Sequence, residues 1–103
     1  MSTKTGLLIE QPSQEQAFEE AFATAKPIIA SATGFRGLRL QQCIERPSRY
    51  LLLVEWDRLE DHMEGFRGSD EFQRWRELLH HFYDPFPEVE HFREIARAED
   101  PRP

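Results

Sequence analysis

The chain of 103 residues has little cysteine, little glycine and no long apolar run. Its single cysteine, Cys43, can form neither an internal disulfide nor a zinc cluster, so we expect a reducing, cytoplasmic compartment. No glycine-rich phosphate loop is present, and a nucleotide or flavin therefore has no obvious anchor. The apolar runs are far shorter than a membrane span, and residues 7–9 are too short for the apolar part of a signal peptide.

The chain also lacks an excess of basic residues. It carries 13 Lys and Arg against 19 Asp and Glu, a formal net charge of −6. Counted separately, residues 1–35 carry a net charge of −2, residues 36–76 of zero and residues 77–103 of −4. Nucleic acids and anionic membrane surfaces are bound through basic groups, so neither is an expected partner.

Length and composition predict one domain. A hydrophobic content of 39% with 12% aromatics is enough for a core,. We assign residues 1–103 to a single domain, with its core at about residues 6–95 and a frayed tail at residues 96–103.

The hydrophobic period alternates along the chain between that of strands and that of helices. Strand patterns occupy residues 6–10, 35–45, 50–56 and 88–95. Helical patterns follow three N-cap candidates: Ser13 (in a capping box with Gln16), Asp57 and Ser69. The order is β-α-β-β-α-β, with the second helical region in two pieces. This predicts an α+β, ferredoxin-like fold, with one antiparallel sheet and its helices on one face.

The strand at residues 50–56 is apolar on both faces. Tyr50, Leu52, Val54 and Trp56 share one face, while Leu51 and Leu53 share the other. Two helical layers can cover only one face of a four-stranded sheet. A second copy of the chain is the simplest cover for the other face, so we expect a homodimer whose sheets face each other.

Several stretches resemble the antibiotic biosynthesis monooxygenase family of dimeric α/β-barrel proteins. They are the apolar strand ending in Glu55-Trp56, the short helix with His62 and Phe66, and the Ser69-initiated helix with Phe72 at its fourth position. Residues 31–35 and 89–92 are similar as well, so the resemblance extends from about Gly6 to about Ile95. It implies oxidation of a small electron-rich phenol or quinol by dioxygen, without metal or flavin, in a homodimer.

Other branches of that family fit the chain less well. The haem-degrading branch uses an Asn on the first strand, a Trp at the end of the short helix and a His on the following helix. In this chain the first strand has no Asn, and the other two positions are Phe66 and about Arg76. Quinol-oxidising members often carry histidines where this chain has Phe66 and Glu71. Here a histidine lies one helical turn earlier, at His62, and we expect no bound cofactor and no metal site.

His62 is the candidate catalytic residue. Helical spacing places it on the same side as Leu59 and Phe66, facing the sheet. A neutral imidazole there could take a proton from a phenol, which makes the ring more reactive toward dioxygen. The alternative is a partly buried histidine that bonds a backbone carbonyl.

The candidate substrate-binding residues are Phe22, Phe66, Trp75, Arg39 and His91. The aromatic residues could form apolar walls, or belong only to the core. His91 could pair with His62 or lie at the dimer seam. Of the five arginines at positions 36, 39, 67, 74 and 76, Arg39 is the best placed to stabilise a phenolate. Surface ion pairs are the simpler role for all five.

Three functions therefore remain open. The first is a cofactor-independent monooxygenase that acts on a small aromatic molecule. The second is a non-catalytic dimer that binds a small hydrophobic metabolite. The third is an isomerase or dehydratase of the same fold, which rests on fold analogy alone.

Overall fold

A computed structural model describes residues 3–10, 13–82 and 88–99, and it confirms the predicted order of elements. The first half contains strand β1 (Thr3–Glu10), helix α1 (Glu15–Ala30), strand β2 (Phe35–Gln42) and strand β3 (Arg49–Trp56). The second half contains a π-helical segment (Asp61–Phe66), helix α2 (Asp70–Leu79), a 3-10 turn (His80–Phe82) and strand β4 (Val89–Arg93). Among the described residues, no helix combines the length and apolarity needed to cross a bilayer.

The four strands form one antiparallel sheet in the order β2-β3-β1-β4. Strand β3 pairs with β2 on one side and with β1 on the other, which confirms the central position predicted from its apolar faces. The two β-α-β units interleave in this order, so the fold is the predicted α+β, ferredoxin-like arrangement.

The core lies between the sheet and the helices. Every second residue of β3, from Tyr50 to Trp56, is buried. Helix α1 covers this face with Phe18, whose ring lies 4.9 Å from that of Tyr50 and 5.7 Å from that of Phe82. The remaining buried apolar side chains of the core are Ile9, Phe22, Ala25, Ile29, Phe66, Trp75 and Leu79.

The helix starts differ in part from the prediction. Ser69 caps α2 as expected, since its hydroxyl accepts a hydrogen bond from the Phe72 amide at 3.3 Å. The capping box at Ser13 is wrong, because Ser13 adopts a left-handed φ of 63°. The residue before α1 is instead Gln14, which makes no side-chain cap.

The opposite face of the sheet carries apolar side chains that no described helix covers. Leu8 and Phe92 are about half exposed, at 50% and 49%. Leu51 and Leu53 are partly buried beside them. This outer face is the surface on which the predicted homodimer depends. The predicted tail is described only to residue 99, and the domain bounds stay a prediction.

Candidate active-site cleft

A cavity of about 310 Å³ opens between the sheet and the second helical region. Its floor is apolar apart from Thr5, whose hydroxyl accepts a hydrogen bond from the Trp56 indole at 3.1 Å. The residues that line it come from the sheet, from α1 and from the second helical region: Thr5, Leu7, Ile29, Leu52, Val54, Trp56, His62, Phe66, Arg67, Phe72, Trp75, Arg76 and Val89. A cleft of this kind, apolar with a few polar groups, is typical of a small-molecule site.

His62 reaches the cleft from the π-helical segment. The Arg67 amide donates to the His62 carbonyl at 3.1 Å, an i to i+5 bond that makes this turn wider than an α-helical turn,. His62 and Phe66 are buried, whereas Leu59 and Met63 are 38% and 48% exposed. The expected shared face of His62 and Phe66 is therefore confirmed, and the inclusion of Leu59 in it is wrong.

The imidazole of His62 is held in its neutral form. Only 7% of the residue is exposed, and its ring lies 5.5 Å from that of Trp56. Burial above all, together with the neighbouring His91 and Arg67, lowers the pKa of His62 from its ordinary 6.5 to about 4,. A neutral imidazole can accept a proton, which an imidazolium cannot do.

His91 stands directly behind His62. The His62 Nδ1 and His91 Nε2 atoms are 2.9 Å apart, within hydrogen-bond distance. Strand β4 supplies His91, and its pairing with β1 places Thr5 opposite it. The structure thus joins two of the predicted site residues, although His91 lies outside the cleft wall itself.

The π-helical segment is fixed at its start by Asp61. This carboxylate, 8% exposed, accepts a hydrogen bond from the Arg58 amide at 3.0 Å. It also lies against Gly34, whose φ is +82° and where a β-carbon would collide with the Asp61 carboxylate. The Gly34 carbonyl in turn accepts from the Asp57 amide at 2.8 Å. The glycine is thus needed for both its conformation and its lack of a side chain.

Two of the three predicted aromatic residues line the cleft, and the third packs behind it. Phe66 and Trp75 line the cleft, with ring centroids 6.1 Å apart. Phe22 does not reach the cleft, and its ring packs 5.8 Å from that of Trp75 on the side of α1. Phe22 therefore packs behind the wall and does not line this cleft.

Arg39 lies on the opposite face of the sheet. Successive side chains of a strand alternate between faces. Leu38 and Leu40 pack against the core, so Arg39 between them points to the outer face. It pairs in register with Leu53 and lies outside the cleft. The cleft arginines are instead Arg67 and Arg76.

The sequence did contain a signal for Arg76. Phe72, Trp75 and Arg76 are spaced by three and four residues on α2, and this spacing places them on one helical face. Arg67 gave a weaker signal, because the π-helical turn displaces it from the position that an α-helical count predicts. Thr5 gave none, since its role depends on Trp56, a residue 51 positions away.

No metal-binding cluster of three His, Cys, Asp or Glu side chains occurs among the described residues. His80 and His81 are exposed, and His80 Nδ1 donates to the Arg76 carbonyl at 2.7 Å. The polar side chains in the described lining of the cleft include His62, Arg67, Arg76 and Thr5, and His91 lies behind His62.

This fold defines a small α+β protein with an internal cleft, and comparison with known proteins gives its family. The family model described as "Antibiotic biosynthesis monooxygenase" matches residues 10–78. The chain belongs to this family.

Two relatives are similar over nearly their full length. The uncharacterized protein YczJ of Bacillus subtilis is 50% identical over 95 residues, which cover 92% of this chain and 100% of YczJ. A solved structure of a candidate antibiotic biosynthesis monooxygenase from Bordetella bronchiseptica is 35% identical. It covers 92% of this chain and 97% of its own, with a TM-score of 0.84.

A third solved structure shares the fold alone. It is SnoaB, a cofactor-independent oxygenase from Streptomyces nogalater, which is 18% identical to this chain. The match covers 98% of both chains with a TM-score of 0.70.

Proposed function

We propose that the protein is a monooxygenase that oxidises a small phenol or quinol with dioxygen, without metal or flavin. The observation that carries the proposal is the buried, neutral His62 facing an aromatic cleft, with His91 directly behind it. Membership of the antibiotic biosynthesis monooxygenase family supports it, as does the fold shared with the cofactor-independent oxygenase SnoaB. The cytoplasm stays the predicted compartment.

The imidazole pair gives the proton a defined path. We assign the Nδ1 proton to His62, so that it donates to His91 and leaves Nε2 free to accept the substrate hydroxyl proton. As Nε2 takes that proton, the Nδ1 proton passes to Nε2 of His91. The positive charge then rests on the less buried ring, which removes the penalty that burial imposes on a charged His62.

The substrate supplies all the electrons in this scheme. Its anion gives one electron to dioxygen, and the resulting radical and superoxide combine through a new carbon–oxygen bond. The peroxide takes back the stored proton, and loss of water breaks the oxygen–oxygen bond with removal of the carbon-bound hydrogen. A quinol and dioxygen thus give a hydroxyquinone and water in equal amounts. The apolar walls formed by Phe66 and Trp75 exclude solvent from the intermediates.

We also propose that two copies pair through the outer face of the sheet. The half-exposed Leu8 and Phe92 and the partly buried Leu51 and Leu53 form the apolar centre of that surface. Native mass spectrometry should then give a species of twice the 12.2 kDa chain mass. A monomer at micromolar concentration would contradict this pairing, and any added mass would identify a bound molecule.

Oxygen uptake tests the activity. A panel of naphthoquinols and phenols is incubated with the enzyme in an oxygen electrode, and the product formed under ¹⁸O₂ is analysed by mass spectrometry. We expect one labelled atom in the product and equal consumption of dioxygen and substrate. A ligand that binds and is recovered unchanged in air would instead favour the non-catalytic binder, and turnover without dioxygen would favour an isomerase or dehydratase.

His62→Ala tests the base. We expect turnover at least about tenfold slower, because general-base catalysis typically contributes a factor of that size or more. His81→Ala is the matched control, since this imidazole is exposed and outside the cleft. An unchanged rate in His62→Ala with a true substrate would remove His62 from the mechanism.

A further inference from the structure

Arg67 and Arg76 both line the cleft and are exposed to solvent, and neither has an anionic partner among the described residues. Five other arginines of the described chain form ion pairs with carboxylates: Arg36, Arg49, Arg58, Arg74 and Arg97. Glu71, a neighbour of both cleft arginines in sequence, is engaged by Arg74 at 3.8 Å. The two guanidinium groups at the cleft are thus left for another anion.

The charge of the described cleft wall has one sign. Among residues 3–10, 13–82 and 88–99, the lining contains no Asp or Glu. Its titratable groups are the two arginines and the neutral His62. Arg67 is close enough to lower the pKa of His62 by its positive charge. Two cations over an apolar cavity attract a molecule with an apolar body and a negative end.

The shape of the guanidinium group favours a carboxylate as that end. Its planar fork donates two parallel hydrogen bonds to the two oxygens of a carboxylate. The volume of about 310 Å³ lies at the lower limit of ligand pockets, which suits a molecule of one or two rings,. Phe66 and Trp75 supply flat walls for such rings.

We propose that the substrate is a small hydroxylated aromatic carboxylate, with its rings in the cleft and its carboxylate bound by Arg67 and Arg76 at the mouth. This inference rests on the proposed function, because it is the ring hydroxyl that His62 deprotonates. The carboxylate and the hydroxyl then orient the ring from two ends.

Isothermal titration calorimetry with 2-naphthoate and its neutral analogue 2-naphthamide tests the charge preference. Neither probe has a hydroxyl group, so binding is measured apart from oxidation. We expect 2-naphthoate to bind at least about tenfold more tightly, as for a charge-assisted hydrogen bond. Arg67→Gln and Arg76→Gln should each remove much of that difference while 2-naphthamide binds as before.

Arg46→Gln is the matched control, because this arginine is exposed, lies in the turn before β3 and is outside the cleft. It should leave both affinities unchanged. Equal affinity for the two probes, naphthoate binding that is insensitive to both cleft arginines, or no binding of naphthoate at about 1 mM would overturn the inference.

The oxygen assay separates this inference from the proposed function. If neutral quinols are turned over and a ring carboxylate does not increase kcat/KM, the proposed oxygenase activity stands and the proposed carboxylate site is overturned. A clear naphthoate preference without oxygen uptake on any hydroxylated carboxylate would support the anion site and overturn the oxygenase.

Discussion

Lowering the pH should destabilise the protein through His62. In the unfolded chain this imidazole takes up a proton near its ordinary pKa of 6.5, whereas in the folded protein it does so only at about 4. Between these values the unfolded state binds more protons, so the stability that depends on neutral His62 is complete above pH 6.5 and is lost as the pH falls toward 4. The full difference corresponds to about 3 kcal/mol, of which about 2 kcal/mol is lost by pH 5.

Urea unfolding followed by tryptophan fluorescence measures this loss. The wild type, His62→Gln and the exposed-imidazole control His81→Gln are unfolded at pH 7.5 and pH 5, at one protein concentration because of the proposed dimer. The carboxylates titrate in all three proteins, so only the difference between variants is used. His62→Gln should lose about 2 kcal/mol less than the other two. Equal losses in all three would refute the assignment of a buried, neutral His62.

Two further substitutions test the local structure that holds the cleft. Gly34→Ala should lower the free energy of unfolding by more than about 1 kcal/mol, because it adds a collision with Asp61 to a left-handed φ,. Gly37→Ala, where a methyl group meets nothing within 4 Å, is the control in the same urea experiment, and equal losses would contradict the argument. Thr5→Val should cost about 1–3 kcal/mol, since it leaves the buried Trp56 indole without its acceptor,. A neutral result would indicate that water replaces the hydroxyl.

The fold was predictable because its signals are local. Alternation in the second strand, the doubly apolar third strand and the Ser69 cap each depend on a few neighbouring residues, and all three agree with the structure, except that β2 ends at Gln42 and not at the predicted residue 45. The error at Ser13 has a local cause too. A capping box needs an extended backbone at the cap, and the left-handed φ at Ser13 is not visible in the residue types,.

The site was predictable only in part, because its contacts join distant segments. His62 and Phe66 followed from helical spacing, and both line the cleft. Alternation along β2 places Arg39 opposite Leu38 and Leu40. Arg39 lies outside the cleft because the cleft opens on the face against which those two leucines pack, and no local pattern indicates which face that is. The pairing of His62 with His91 crosses 29 residues and depends on the register of β4, which no local pattern sets.

The geometry of the cleft depends on the π-helical segment. An α-helical turn would place residues three and four apart on one face, which includes Leu59 and Met63 with His62. In the structure those two residues are 38% and 48% exposed, and Asp61 is buried beside His62. Asp61 can be buried because the Arg58 amide bonds it and because residue 34 is a glycine. The position of the imidazole in the cleft is thus coupled to a glycine 28 residues earlier in the chain. For this reason Gly34→Ala should affect turnover as well as stability.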